Sequence, residues 1–486
     1  MTTDTPQSKL DQQMAFAVLK AAKMREAAAA GDYNTAYGAD STATGSFSSA
    51  YGCQSSAGDG GTAIGGLTKA TGNESVAIGD FSTALGYGSA ALGMGSVSAV
   101  SFATAIGTMS SALTSCSTAI GSYSAATGMY STTTGNNSTA SGAYAVAYGA
   151  GSLASNDFGT AVGGNSVASG TNSTAIGQAS SASGDNGTAI GQGSAASGLG
   201  STAVGFGSTA PDQNSAAYGA NSKASGLVST AIGSSCEAIG NGSTAVGCRS
   251  SANGSGTSVG YDSSSQGASS TAVGYGTAAV GAHSAAYGAF CLVKGAYSIG
   301  LGQGSAAAGD FTVTIGQGSE ASGEDGIAIG QGSVASGDLS AATGNASSAS
   351  GHFSTAMGHS STASGDNSVA MGQDSYASAV SSIAIGQNSK ASDDFSTALG
   401  SLSQTAPAIS TTGMTINSKS YMFAGSVAKA TLSIGNSNGN AIFRTITNLA
   451  AGRVDESSTD AVNGSQLSAL VKAIESLNAR LDQFSK

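Results

Sequence analysis

Ser173-Thr174-Ala175-Ile176-Gly177-Gln178-Ala179-Ser180-Ser181-Ala182-Ser183-Gly184-Asp185-Asn186-Gly187-Thr188-Ala189-Ile190-Gly191 is the stretch that decides the fold. Thr-Ala-Ile-Gly returns after fourteen residues, and Ser181-Ala182-Ser183-Gly184 is a weaker echo at the midpoint. The residue before each glycine forms a ruler. Towards the amino terminus it passes Val162, Ile120, Ile106, Ile78 and Ile64, then steps thirteen residues to Tyr51 and Tyr37. In the other direction it runs through Val204 to Val246, steps thirteen to Val259, and continues through Val273, Tyr287 and Leu301. From Ile315 it holds without a slip through Ile329, Thr343, Met357, Met371 and Ile385 to Leu399. Counted this way the chain has 27 rungs. Repetition at a fixed period sets the architecture before any local propensity does.

Fourteen is also two heptads, but a glycine near every seventh residue costs a helix about 1 kcal/mol each relative to alanine. Extended strands joined by glycine turns fit instead, with two strands and two turns making one coil of a β-solenoid. Alternation then sorts the side chains: Ser173 and Ala175 face one way, Thr174 and Ile176 the other. A fourteen-residue coil encloses little room, so the Ser/Ala set is expected inside and the large set outside. An outward apolar rail invites other copies to cover it. Ile64, Ile78, Ile106, Ile120, Val162, Ile176, Ile190, Val204, Ile315, Ile329, Met357, Met371, Ile385 and Leu399 are therefore expected at an interface between parallel chains. At ~4.8 Å per coil, all the rungs together would make a head on the order of 130 Å long.

Composition supports this reading. Glycine is 74 of 486 residues, tryptophan is absent and charged residues are only 9%, which argues against a large packed core. Three prolines and the wrong glycine period exclude collagen. The apolar periodicity argues against disorder. A net charge of -11 disfavours nucleic acid and anionic membranes as partners. No segment is long and apolar enough for a membrane span, and Met14 to Leu19, closed by Lys20, does not read as a secretory signal. Cys53, Cys116, Cys236, Cys248 and Cys291 form no CxxC or Cys/His metal spacing and read as plain thiols suited to a reducing compartment.

Other columns follow the same ruler. Gln303, Gln317, Gln331, Gln373 and Gln387 fall two past their rungs and read as a stacked amide ladder. Asp310, Glu324, Asp338, His352, Asp366 and Asp394 fall nine past, and draw a candidate ligand-binding rail that would suit basic partners or calcium. Solvated turn carboxylates are the structural alternative for the same column. His352 and His359 are expected on opposite strands of about one coil. No motif joins a nucleophile to a base, so no catalytic residue, cofactor or metal site is expected.

Residues 1–31 form an amino-terminal segment whose stretch from Gln7 to Ala30 reads as a helix, with Leu10, Met14 and Val18 on one face. Residues 32–408 form the head. After Leu399 the ruler stops, and residues 409–466 carry a connector with Arg444-Thr445-Ile446-Thr447-Asn448-Leu449-Ala450-Ala451-Gly452-Arg453. The motif Asp460, Ala461, Val462, Asn463, Gly464, Ser465, Gln466, Leu467 follows. Across 467–486, Leu470, Ile474, Leu477, Leu481 and Phe484 make a coiled-coil seam.

These two segments resemble the neck of trimeric autotransporter adhesins, and the repeats before them resemble the YadA-type head. The resemblance implies an all-β, left-handed parallel β-roll in each chain, a homotrimer meeting on the rung residues and the helical seam, and adhesion to a surface protein, matrix protein or glycan without catalysis. It also implies display at the cell surface. The family's carboxy-terminal anchor and long export signal are not found in this sequence. Two settings follow: an excised piece of a longer adhesin, or a head and neck reused on a phage-tail or injection-machine fibre assembled in the cytoplasm. Two remoter classes are a left-handed-helix acyltransferase, disfavoured by the period, and an ice-binding protein, suggested by Thr160, Thr174, Thr188 and Thr202.

Overall fold

Two short strands and two turns use up fourteen residues, so each repeat closes one coil and the next stacks on it in register. In the computed structural model, which describes residues 13–15, 32–416, 418–437, 439 and 441–484, Thr174–Ile176 pairs in parallel with Thr188–Ile190, placing Ile176 opposite Ile190. Ser181–Ala182 pairs likewise with Ala195–Ala196. Within each of the chain's two units the strong half-repeats thus build one parallel sheet and the weak halves a second.

The chain divides into two units, residues 1–269 and 270–486. In the first, three-residue strands run from Thr35–Tyr37 to Thr257–Val259 and two-residue strands from Thr42–Ala43 to Ser264–Ser265. In the second they run from Thr271–Val273 to Thr397–Leu399 and from Ala278–Ala279 to Lys390–Ala391. Both thirteen-residue steps keep register, with Tyr51 opposite Ile64 and Val246 opposite Val259. The lost residue comes from the second turn, which is shortened to Gly58–Gly61 and Asn253–Gly256 where other coils have a segment like Ser183–Gly187.

Side chains sort as alternation requires. Ala175, Ala182, Ser173 and Ser180 are fully buried, whereas Ile176 is 39% exposed. The core is a column of alanines and serines, and the large residues face out. Both turns need unusual backbone. Gly177 sits at φ 129°, and a Cβ there would lie 2.5 Å from the carbonyl oxygen of Gly191 in the next coil. Only glycine fits. Two residues later Ala179, and in the second turn Asn186, adopt the left-handed conformation at φ 55°. The buried Ser180 hydroxyl closes the first turn by donating to Gly177 O at 2.9 Å.

The ruler stops at Leu399, but the sheet does not: Leu432–Ser433 returns to pair with Thr397 and Ala398. Arg444 then covers the final turn, its Nη1 donating to Ser403 Oγ at 3.0 Å and its guanidinium to the carbonyls of Ser401 and Ile434. Such groups at an open sheet edge would otherwise remain unpaired. A hairpin, Gly413–Ile416 with Lys419–Met422, lies in the connector.

The carboxy-terminal helix spans Gly464–Phe484. It begins inside the motif rather than at Leu467, because Asn463 caps it. Of the expected amino-terminal helix, residues 13–15 are helical and the remainder lies outside the described residues. No helix among the described residues is long and apolar enough to cross a membrane.

Candidate functional site

The rung residues stand on the outer face of the longer strands. Ile64, Ile106, Ile120, Ile176, Ile190, Ile315, Ile329, Met357, Met371 and Leu399 each keep 37–45% of their surface exposed, and Ile78, Val162, Val204 and Ile385 are half-buried. Each unit therefore presents a regular apolar stripe. The helical seam is also bare, with Leu470, Ile474, Leu477 and Leu481 at 49–57% exposure. The Phe484 side chain lies outside the described residues.

The motif before the helix is a set of interlocking polar contacts. Asn463 Oδ1 accepts from the Gln466 amide at 3.2 Å while Gln466 Oε1 accepts from the Asn463 amide at 3.1 Å. This reciprocal pair is a capping box. Gln466 also clamps the preceding segment: its Oε1 accepts from Gly452 N at 2.9 Å and its Nε2 donates to Gly452 O. Asn463 Nδ2 reaches Leu449 O at 3.0 Å. Arg453 grips Asp460 with both Nε and Nη2, at 3.0 and 3.2 Å. That pairing holds the Asp460 carboxyl below the usual carboxylate range and pushes the Arg453 guanidinium up. Ala461, Val462, Gly464 and Ser465 line an open concavity with Ile446, Asn448 and Leu449.

The acidic column lies on the second turn. Asp310, Asp338, Asp366 and Asp394 each direct Oδ1 at a backbone amide fourteen residues earlier, on Ala296, Glu324, His352 and Val380, at 2.8–3.1 Å. These carboxylates thus brace adjacent coils with one oxygen. His352 Nδ1 stands 3.5 Å from Asp338 Oδ2. His352 and His359 occupy opposite turns, not the opposite strands expected from their spacing, because each falls within the glycine-bounded bends. Among the described residues no group of three or more His, Cys, Asp or Glu could hold a metal ion. The glutamines do stack: Gln317 donates to Gln303 at 3.4 Å and Gln331 to Gln317 at 3.1 Å.

Cys236 and Cys291 are fully buried and hydrogen-bond to Ser250 and Ser305, in positions serine fills elsewhere. Burial pushes both thiols up, which disfavours the reactive thiolate. Cys53 and Cys248 are exposed.

A further column lies at an offset that the sequence reading did not take. Ten residues past a rung, the left-handed position of the second turn carries rings in stacked runs of three, Tyr130, Tyr144 and Phe158 in the first unit and His283, Tyr297 and Phe311 in the second, and also the stacked pair Tyr33 and Phe47 and the rings of Phe102, Phe353 and Phe395. Tyr130 stacks on Tyr144 at 5.0 Å and Tyr144 on Phe158 at 5.2 Å, nearly parallel. His283 stacks on Tyr297 at 4.9 Å and Tyr297 on Phe311 at 5.3 Å. A bulky residue in this conformation costs roughly 1 kcal/mol or more, which stacking worth about 0.5–1.5 kcal/mol per pair can offset. The ruler read at this offset would have exposed the column.

Comparison with known proteins follows the same division. The model of the YadA head domain repeat matches residues 56–98, 102–222, 254–277, 321–347, 349–375 and 377–403, more than half of the chain. That of the coiled stalk of trimeric autotransporter adhesin matches 445–486. The autotransporter adhesin BtaE of Brucella suis biovar 1 (strain 1330) is 48% identical over 82 residues, which are 17% of this chain and 11% of that protein. The chain thus spans about a tenth of that relative's length. Among solved structures, the C-terminal YadA-like domain of a Burkholderia pseudomallei protein aligns at 36% identity and TM-score 0.19, covering 25% of this chain and 54% of that one. The collagen-binding domain of the Yersinia adhesin YadA aligns at 25% identity and TM-score 0.18, covering 51% and 85%.

Proposed function

This chain belongs to the trimeric autotransporter adhesins, with YadA-type head repeats and a coiled stalk, and from that membership we propose that three copies form an attachment fibre that binds a receptor at a surface, by contact and not by catalysis. The observation that carries the trimer is the bare rung stripe. The alanine–serine interior is already closed, so Ile176, Ile190 and their equivalents have no partner within their own coil. Covering what remains exposed of one such side chain contributes on the order of 1 kcal/mol, and the stripe repeats it many times. The seam from Leu470 to Leu481 asks for the same solution: a helix of this length is marginal alone and gains its stability from partner helices.

Three identical heads on one stalk let individually weak contacts add through effective concentration. The second oxygens of Asp310, Asp366 and Asp394, with the Asp338–His352 pair between them, offer one polar contact surface for a receptor. Two measurements test the reading. Light scattering on the purified chain should return three times the monomer mass; a monomer at micromolar concentration removes the trimer. Beads coated with the chain should adhere to cell surfaces or matrix, and failure to retain any of them removes the adhesive role.

A further inference from the structure

Resting on the adhesive reading, we infer that the stacked rings of the second-turn column, Tyr130–Tyr144–Phe158 and Tyr297–Phe311, are contact sites for an extended, hydroxyl-rich polysaccharide lying along the turns. Four observations converge on them. The rings hold the left-handed conformation at φ 55–58°, where this column elsewhere uses Asn172, Asn186 or Asn214 at similar φ, residues that adopt it readily. Stacking explains how the rings are tolerated, not why asparagine was replaced. They are exposed, with Tyr144 at 49%, Phe158 at 53% and Phe311 at 51%.

Among the described residues, a run of three stacked rings with a carboxylate beside its last ring occurs once in each unit. Asp157 precedes Phe158 and Asp310 precedes Phe311, and each carboxylate is fixed through Oδ1 by a backbone amide of the preceding coil at 2.8 Å. The position before Tyr144 and Tyr297 is alanine, and the one before that is glycine. A partner can therefore approach the turn backbone closely between ring and strand. Because each ring covers part of its neighbour's face, the stack presents a row of electropositive edges beside a carboxylate oxygen. Hydroxyl groups suit both, since their oxygens meet the edges and their protons reach the carboxylate.

The interval, set by the stacking of coils, favours a polymer with a short repeat. Rings recur at 5.0–5.3 Å, close to the rise per sugar in an extended β-linked hexose chain. Same-face residues of an extended peptide recur at about 6.7 Å, and a polyproline II turn takes about 9.3 Å. A helix comes nearer in pitch, but helices dock by laying an apolar face into a groove, whereas these rings stand on turns.

The full chain is titrated with β-linked glucose and N-acetylglucosamine oligosaccharides, next to a variant carrying Tyr130→Asn, Tyr144→Asn, Phe158→Asn, Tyr297→Asn and Phe311→Asn. Asparagine is the residue the column itself uses, so coils should close as before. The inference expects wild-type binding, a loss of about tenfold or more in the variant, and an unchanged trimer and melting temperature. Binding by neither protein overturns it, as does equal binding by both. Loss of binding together with trimer or melting temperature also overturns it, and makes the rings a structural or subunit contact. Adhesion of both proteins to whole cells is read in parallel, before and after periodate. Periodate-resistant, protease-sensitive adhesion equal in both would sink the polysaccharide and leave the adhesive role standing.

Discussion

At the scale of single residues, the narrow interior decides most outcomes. Val293 is a fully buried exception in the alanine column, and it fits because Gly300 faces it: a Cβ on Gly300 would lie 2.7 Å from Val293 Cγ2 and 2.8 Å from Cys291 Sγ. Gly300→Ala should destabilise the second unit by about 1–3 kcal/mol through overpacking. Adding Val293→Ala recreates the alanine pair that other coils contain, such as Ala279 and Ala286, and should recover most of the loss in a denaturant double-mutant cycle. Additive effects would refute the pairing. Asp460 gives a pH-dependent case. Its folded pKa is depressed by Arg453, so its contribution is present above the unfolded carboxylate value and lost as pH falls through the folded one. Melting curves of Asp460→Asn should therefore lose pH sensitivity on the acid side, with little change in slope near neutrality.

At the scale of elements, the turns and the helix start carry the design. Gly177 and its equivalents were legible as turn residues from their spacing. The left-handed residue two positions on was not, because Ala179, Asn186, Tyr144 and Phe158 share a conformation and no residue type. The aspartate column was legible as a rail, but not its brace to the preceding coil, since that bond links residues fourteen apart through the backbone. The motif around Asn463 was legible as a pattern, whereas the structure gives each polar group its partner. Asn463→Ala removes the helix cap and the bond to Leu449 O. We expect about 0.5–2 kcal/mol less stability in the stalk, with early melting of the helical circular dichroism signal and unchanged head strands. A concerted shift of both signals would show the neck and head unfolding as one.

At the scale of the whole molecule, the stripe of rungs is the feature with the largest consequence. Ile176→Asn with Ile190→Asn leaves the interior alanines untouched, so each coil should still close. Association is where the loss should appear, as a lower trimer fraction at dilute concentration in sedimentation velocity. If these variants remain as trimeric as wild type and Leu470→Asn with Leu477→Asn does not, assembly rests on the stalk alone.

The sequence by itself determined the period, the two strands per coil, the small interior and the outward face, because alternation and glycine spacing are one-dimensional properties. It also located the neck and seam. Only the tertiary structure decided what the columns do. Stacking coils converts residues fourteen apart into neighbours, and that brings Asp310 to the Ala296 amide, Tyr144 onto Phe158 and Val293 into the space left by Gly300. It also brings Leu432 back to extend a sheet whose ruler had ended at Leu399. That return depends on backbone pairing at a free edge, which any extended segment able to reach it can supply.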